Sequence, residues 1–87
     1  MYRVVTTKEV DKFLEKQTAT FRGKCLQLFD VLSRDPMDKT LNIKPLSGLK
    51  NKYRLRVSKY RFLYEVRRTD VLIYIYKADS RGDVYKT

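Results

Sequence analysis

The sequence predicts a small α+β domain, a helical hairpin packed on a mostly antiparallel sheet in the order β-α-α-β-β-β. Three observations predict it. Apolar residues recur at helical spacing through the first third of the chain, at Val10, Phe13, Leu14, Phe21, Cys25, Leu28 and Leu32. From Lys52 to Arg67 the period changes to two, with apolar or aromatic residues alternating with charged ones. Turn and breaker residues punctuate the chain at Pro36, Pro45, Gly48, Thr69-Asp70 and Gly82.

Taken in order, Tyr2 to Val5 is short and β-prone, and Thr6-Thr7-Lys8-Glu9 after it reads as a capping box with Thr6 and Glu9 as its polar ends. A first helix carries Val10, Phe13 and Leu14. After Gln17-Thr18 a second carries Phe21, Cys25, Leu28 and Leu32, with Gly23 weakening it by up to ~1 kcal/mol relative to alanine. Ser33-Arg34-Asp35-Pro36 ends that helix, and residues 37 to 49 read as irregular. Three strands follow, Lys52 to Ser58, Arg61 to Arg67 and Val71 to Tyr76, the last two joined by a tight turn at Thr69-Asp70. The last is apolar on both sides, as a strand covered on both faces would be. Arg81-Gly82-Asp83 reads as a turn before the terminal Val84-Tyr85-Lys86-Thr87.

At 87 residues the expectation is one domain, 1–87, because a core this small buries only about 60 to 65% of the unfolded surface. Lys and Arg number 20 against 10 Asp and Glu, a formal net charge of +10 and a pI near 9.9, so polyanions are attracted where the charge clusters. It clusters between Lys39 and Tyr64, where Lys39, Lys44, Lys50, Lys52, Arg54, Arg56, Lys59 and Arg61 stand without a single acid. On a strand, Tyr53, Leu55 and Val57 would enter a core while Lys52, Arg54 and Arg56 form a cationic row outside, suited to a phosphate backbone.

A single cysteine, Cys25, rules out an intrachain disulfide and suits a reducing cytoplasm; its apolar helical setting makes it a core residue. The N-terminus lacks the apolar core of a signal peptide, and no run approaches the ~18 apolar residues a spanning helix needs, so no membrane association is expected. With no histidine, a transition-metal site is disfavoured and Ser-His or Cys-His catalysis is excluded; no cofactor is expected.

Lys44-Pro45-Leu46-Ser47-Gly48-Leu49, Tyr53-Arg54-Leu55-Arg56-Val57, Tyr60-Arg61-Phe62-Leu63-Tyr64-Glu65-Val66 and Arg81-Gly82-Asp83-Val84-Tyr85 together resemble the RelE/ParE toxin superfamily, and the element order agrees. The resemblance implies the toxin of a toxin–antitoxin pair, with a cognate antitoxin as partner. Members of the RelE branch cleave messenger RNA in the ribosomal decoding site without a metal, and those of the ParE branch poison DNA gyrase. Arg81 four residues before Tyr85, at the end of the chain, is similar to the ribonuclease ending. The resemblance carries catalytic positions onto Arg54, Arg56 and Arg61 as well. It departs from the family pattern in having arginine where lysine is frequent at Arg54 and Arg56, and Asp79 where a further basic residue stands.

Metal-free RNA cleavage needs the 2′-hydroxyl activated, the phosphorane stabilised and the 5′-oxygen protonated as it leaves. Arginines can hold the phosphate and neutralise its growing charge, a role that falls to Arg61 and Arg81, with Arg54 and Arg56 as clamps, since guanidinium groups are poor bases. Lys52 and Tyr85 remain open as proton-transfer groups, Tyr85 alternatively stacking on a splayed base. Lys50, Lys52, Lys59, Lys77 and Lys86 are expected to bind RNA. Plainer alternatives stand beside these roles: Tyr85 packing the chain end onto the sheet, and Arg56 and Arg61 pairing with Glu65 and Asp83. Tyr53, Tyr60, Tyr64, Tyr74 and Tyr76 are expected mainly in core and cross-strand pairs. The leading function is a ribosome-dependent endoribonuclease; a gyrase poison and a noncatalytic RNA- or ribosome-binding translation inhibitor are the rivals.

Overall fold

The computed structural model describes residues 1–80, so the expectations for Arg81, Tyr85 and Lys86 lie outside the described residues. The elements run β1 (Arg3–Thr6), α1 (Lys8–Glu15), α2 (Ala19–Arg34), β2 (Ile43–Pro45), β3 (Lys52–Val57), β4 (Tyr60–Arg67) and β5 (Leu72–Ser80). The strands form one mixed sheet in the order β1-β5-β4-β3-β2, with β1 parallel to β5 and every other pair antiparallel. No helix among the described residues is long and apolar enough to cross a membrane.

The α+β reading stands, with three local corrections. The segment expected to be irregular contains β2, because Ile43, Lys44 and Pro45 pair with Leu55, Arg54 and Tyr53. An edge strand tolerates proline, which has no amide to give to a ladder. Thr7 rather than Thr6 caps α1, its hydroxyl accepting from Val10 N at 3.3 Å; Thr6 still ends β1 and donates its hydroxyl to Asp11. No box with Glu9 forms, since Glu9 stands two residues after the true cap rather than three. The turn between β4 and β5 spans Arg68 to Val71, so β5 starts at Leu72 and runs beyond Tyr76.

Arg22 makes the sharp passage between the helices. Its guanidinium donates to the carbonyls of Leu14 (3.0 Å), Gln17 (3.0 Å) and Glu15 (3.3 Å), satisfying acceptors that the end of α1 leaves open. Thr18 caps α2 through a 3.1 Å bond from Phe21 N. The core lies between the hairpin and one sheet face: Val10 and Leu14 of α1 and Cys25, Phe29 and Leu32 of α2 meet Leu55, Val57, Phe62, Tyr64, Val66, Ile73, Ile75 and Ala78. Phe62 receives Phe13 and Phe29 edge-on at 5.6 and 5.0 Å. Tyr64 is fully buried and donates its hydroxyl to the Pro36 carbonyl at 2.7 Å, tying the chain after α2 to the middle of the sheet.

Candidate nucleic-acid interface

Opposite the helices the sheet has a second, open face, and register decides what stands on it. Arg54 lies across from Lys44 on β2 and from Leu63 on β4, which in turn faces Lys77 on β5. The next row joins Arg56, Arg61 and Asp79, and the row on the other side joins Lys52, Glu65 and Tyr74. Neighbouring strands are about 4.8 Å apart and same-face neighbours along a strand roughly 6.7 Å, so the charges of Lys44, Lys52, Arg54, Arg56, Arg61 and Lys77 converge on one patch. Arg56 stands directly opposite Arg61, whose neighbour on the other side is the carboxylate-bearing Asp79.

Lys77 reaches this face through an irregularity. Ile75 pairs with Tyr64 and Lys77 with Leu63, so Tyr76 is an extra residue in β5. Strict alternation from Ile73 and Ile75 would have turned Lys77 into the core; the bulge turns Lys77 and Asp79 outward and Ala78 inward, where it is buried opposite Phe62.

Arg54 is only 8% exposed, far more enclosed than the outer row expected for it. Its Nη2 donates to Asn42 Oδ1 at 2.7 Å, and its Nε, also buried, has no hydrogen-bond partner among the described residues. Arg56 is exposed, its Nε donating to the Ser58 carbonyl at 3.2 Å. Glu65, considered as a partner for Arg56 or Arg61, instead pairs with Arg67 at 2.9 Å. Lys52 sits with its ammonium 5.5 Å from the Tyr76 ring centre, and Arg67 lies over Tyr74 at 5.1 Å. Burial, and secondarily Glu65, push the Tyr76 phenol upward, so it stays protonated near neutral pH.

Two expected contacts separate from the patch. Lys59 occupies the β3–β4 turn with its ammonium 5.6 Å over Tyr60, a ring that packs on Phe13 and Phe21 at the helical side. Lys50 is exposed in the turn before β3, at the opposite end of that strand. Of the five tyrosines, Tyr53, Tyr60 and Tyr64 take the helix-side face, and Tyr74 and Tyr76 stack on the open one at 6.2 Å. The sequence reading missed Lys44 and Asn42 as site residues. The signal for Lys44 was its place one residue before Pro45, since a proline-bearing strand beside a cationic one is a sheet edge.

The chain is thus a helical hairpin over one face of a mixed sheet, with cations gathered on the other. The chain is 31% identical to a chain of the archaeal RelE–RelB complex from Pyrococcus horikoshii OT3, with a TM-score of 0.84 over 93% of this chain and 96% of that one. It therefore belongs to the RelE toxin family. Against the RelBE2 toxin–antitoxin complex of Mycobacterium tuberculosis the identity is 27% and the TM-score 0.73, over 92% and 98% of the two chains. The isolated Escherichia coli RelE toxin shares the fold at 20% identity, with a TM-score of 0.77 over 98% and 92%. No protein-family model and no curated protein sequence matches the chain.

Proposed function

We propose that this RelE-family toxin cleaves messenger RNA on the ribosome without a metal, and that a cognate antitoxin neutralises it. The observation that carries the reading is the convergence of Lys52, Arg54, Arg56, Arg61 and Lys77 on one sheet face, with no carboxylate accepting from the guanidinium of Arg54 or Arg56 among the described residues. Arg61 and Arg81 hold the scissile phosphate and neutralise the charge that grows on it, and Arg54 and Arg56 reinforce that field. The 2′-hydroxyl attacks the phosphorus, its proton passing to Lys52 in its neutral amine form or to Tyr85 as phenolate, and the P–O5′ bond breaks as the 5′-oxygen takes a proton from the Tyr85 phenol, leaving a 2′,3′-cyclic phosphate. Lys86 extends the contact along the RNA, while Lys50 and Lys59, at opposite ends of β3 and apart from the patch, meet only flanking nucleotides.

Glu65 is engaged by Arg67, and histidine is absent, so the chain has weak means of activating a hydroxyl on a flexible strand. A ribosome that holds the messenger splayed supplies alignment, worth about 7 to 11 kcal/mol in favourable cases. Naked transcript and programmed ribosomes are compared at equal RNA concentration, with a chelator in both. Cleavage is expected on ribosomes only and insensitive to chelator. Equal rates on both substrates refute ribosome dependence, chelator sensitivity refutes the metal-free mechanism, and intact transcripts with inhibited gyrase would assign the ParE-type activity instead. Arg61→Ala should stay folded and cut ~10²-fold more slowly, corresponding to loss of about 3 kcal/mol of barrier stabilisation.

A further inference from the structure

A buried arginine is ordinarily matched by a carboxylate, because an enclosed charge is costly unless paired. Arg54 is matched by an amide. Asn42 stands directly before β2, and its main-chain carbonyl accepts from Arg56 N at 2.9 Å, which fixes the position against β3 itself. From there Oδ1 accepts from Arg54 Nη2 at 2.7 Å, and since a guanidinium offers only donors, the amide oxygen must be the atom that faces it. The residues flanking Arg54 across the sheet are Lys44 and Leu63, so neither neutralises it.

We propose that Asn42 is a positioning residue for Arg54: it fixes the guanidinium through a neutral acceptor and so leaves the full positive charge to a phosphate oxygen. An aspartate at the same place has nearly the same shape and would hold the guanidinium more tightly, while cancelling the charge the site requires. Stability and function therefore respond in opposite directions to one atom's change. The inference rests on the reading of this face as an RNA site, and its test separates the two.

The full chain is prepared as wild type, Asn42→Asp, Asn42→Ala, Arg54→Ala and the Asn42→Asp/Arg54→Ala double variant. Four quantities are measured: thermal midpoint, the Arg54 side-chain ¹⁵Nε signal, cleavage on programmed ribosomes, and binding of a 2′-O-methyl RNA oligonucleotide across a salt series. Asn42→Asp is expected to melt no lower than wild type, to lose about one unit from the slope of log affinity against log salt, and to cleave ~10²-fold more slowly. It should add no further loss to Arg54→Ala. Asn42→Ala should broaden or shift the Arg54 signal and lose less activity than Asn42→Asp.

A wild-type salt slope and rate in Asn42→Asp overturn the proposal, as does an unchanged Arg54 signal in Asn42→Ala. If wild type cleaves no transcript, the nuclease reading fails while the slope and the Arg54 signal still decide the role of Asn42. If the oligonucleotide does not bind wild type at all, the charge-sparing role falls with it.

Discussion

At the level of single residues, the same side-chain type takes opposite roles according to what it meets. Arg22 spends its donors on the carbonyls at the end of α1 and is structural, whereas Arg54 keeps a buried Nε without a hydrogen-bond partner among the described residues. Two acidic groups with high intrinsic pKa are sealed in the core. Burial pushes the Cys25 thiol from 9.0 up to about 11, against a smaller opposing pull from Lys24. Burial, reinforced by Tyr53 and Asp35, pushes the Tyr64 phenol up from 10.0. Both groups ionise more readily in the unfolded chain, so their contribution to stability is complete below the unfolded values and is lost as pH rises through the folded ones. The thermal midpoint should hold steady up to about pH 8.5, fall from pH 9 upward through the thiol, and fall further above pH 10 through the phenol. In Cys25→Ala, whatever its baseline, the decline should begin about one pH unit later. Melting curves by circular dichroism at half-unit steps check both; a flat midpoint up to pH 10.5 would refute the assignment.

At the level of elements, two positions depart from local preference without evident need. Gly23 is exposed in the interior of α2, and a Cβ there would meet nothing within 4 Å. Gly23→Ala should therefore raise stability by roughly 0.5 to 1 kcal/mol, read as a higher urea midpoint at unchanged slope. Val71 sits at φ +52, a left-handed conformation that a β-branched residue adopts only under strain, and it is exposed. Val71→Gly should stabilise by about 1 kcal/mol, because the turn keeps its shape and Arg3 N still has the residue-71 carbonyl to bond. A loss in the same urea assay would show that the valine side chain does more than strain the turn. What the sequence disclosed follows the same divide. Helical and period-two apolar spacing revealed both helices, the three long strands and the cationic row of Lys52, Arg54 and Arg56, because burial imposes those periods directly. It could not reveal the bulge at Tyr76 that sends Lys77 outward, since one extra residue in a strand leaves no mark in composition. Nor could it reveal Asn42, whose partner lies twelve residues away and meets it only when the β2–β3 hairpin closes.

At the level of the whole molecule, a net charge of +10 with the open sheet face as its focus acts over distance, while apolar contact acts only at touch. The described residues offer both: the cationic patch on one face of the sheet, and the exposed Leu26 of α2, beside Val4 and Phe29 in a groove between β1 and α2 whose other lining residues, Thr6, Asp30 and Ser33, are polar. An acidic, amphipathic antitoxin segment would be steered by the first and retained by apolar contacts such as the second, so the rate of meeting and the rate of parting depend on different forces. Raising salt from 50 to 500 mM should then slow association with the cognate antitoxin by at least tenfold while changing dissociation by less than about threefold, because screening weakens the long-range field and leaves buried apolar area unaffected. Stopped-flow mixing for association and chase with unlabelled antitoxin for dissociation measure the two rates separately. A dissociation rate that rises with salt as steeply as association falls would mean that ion pairs hold the complex, and that the apolar surface of the hairpin plays no part in it.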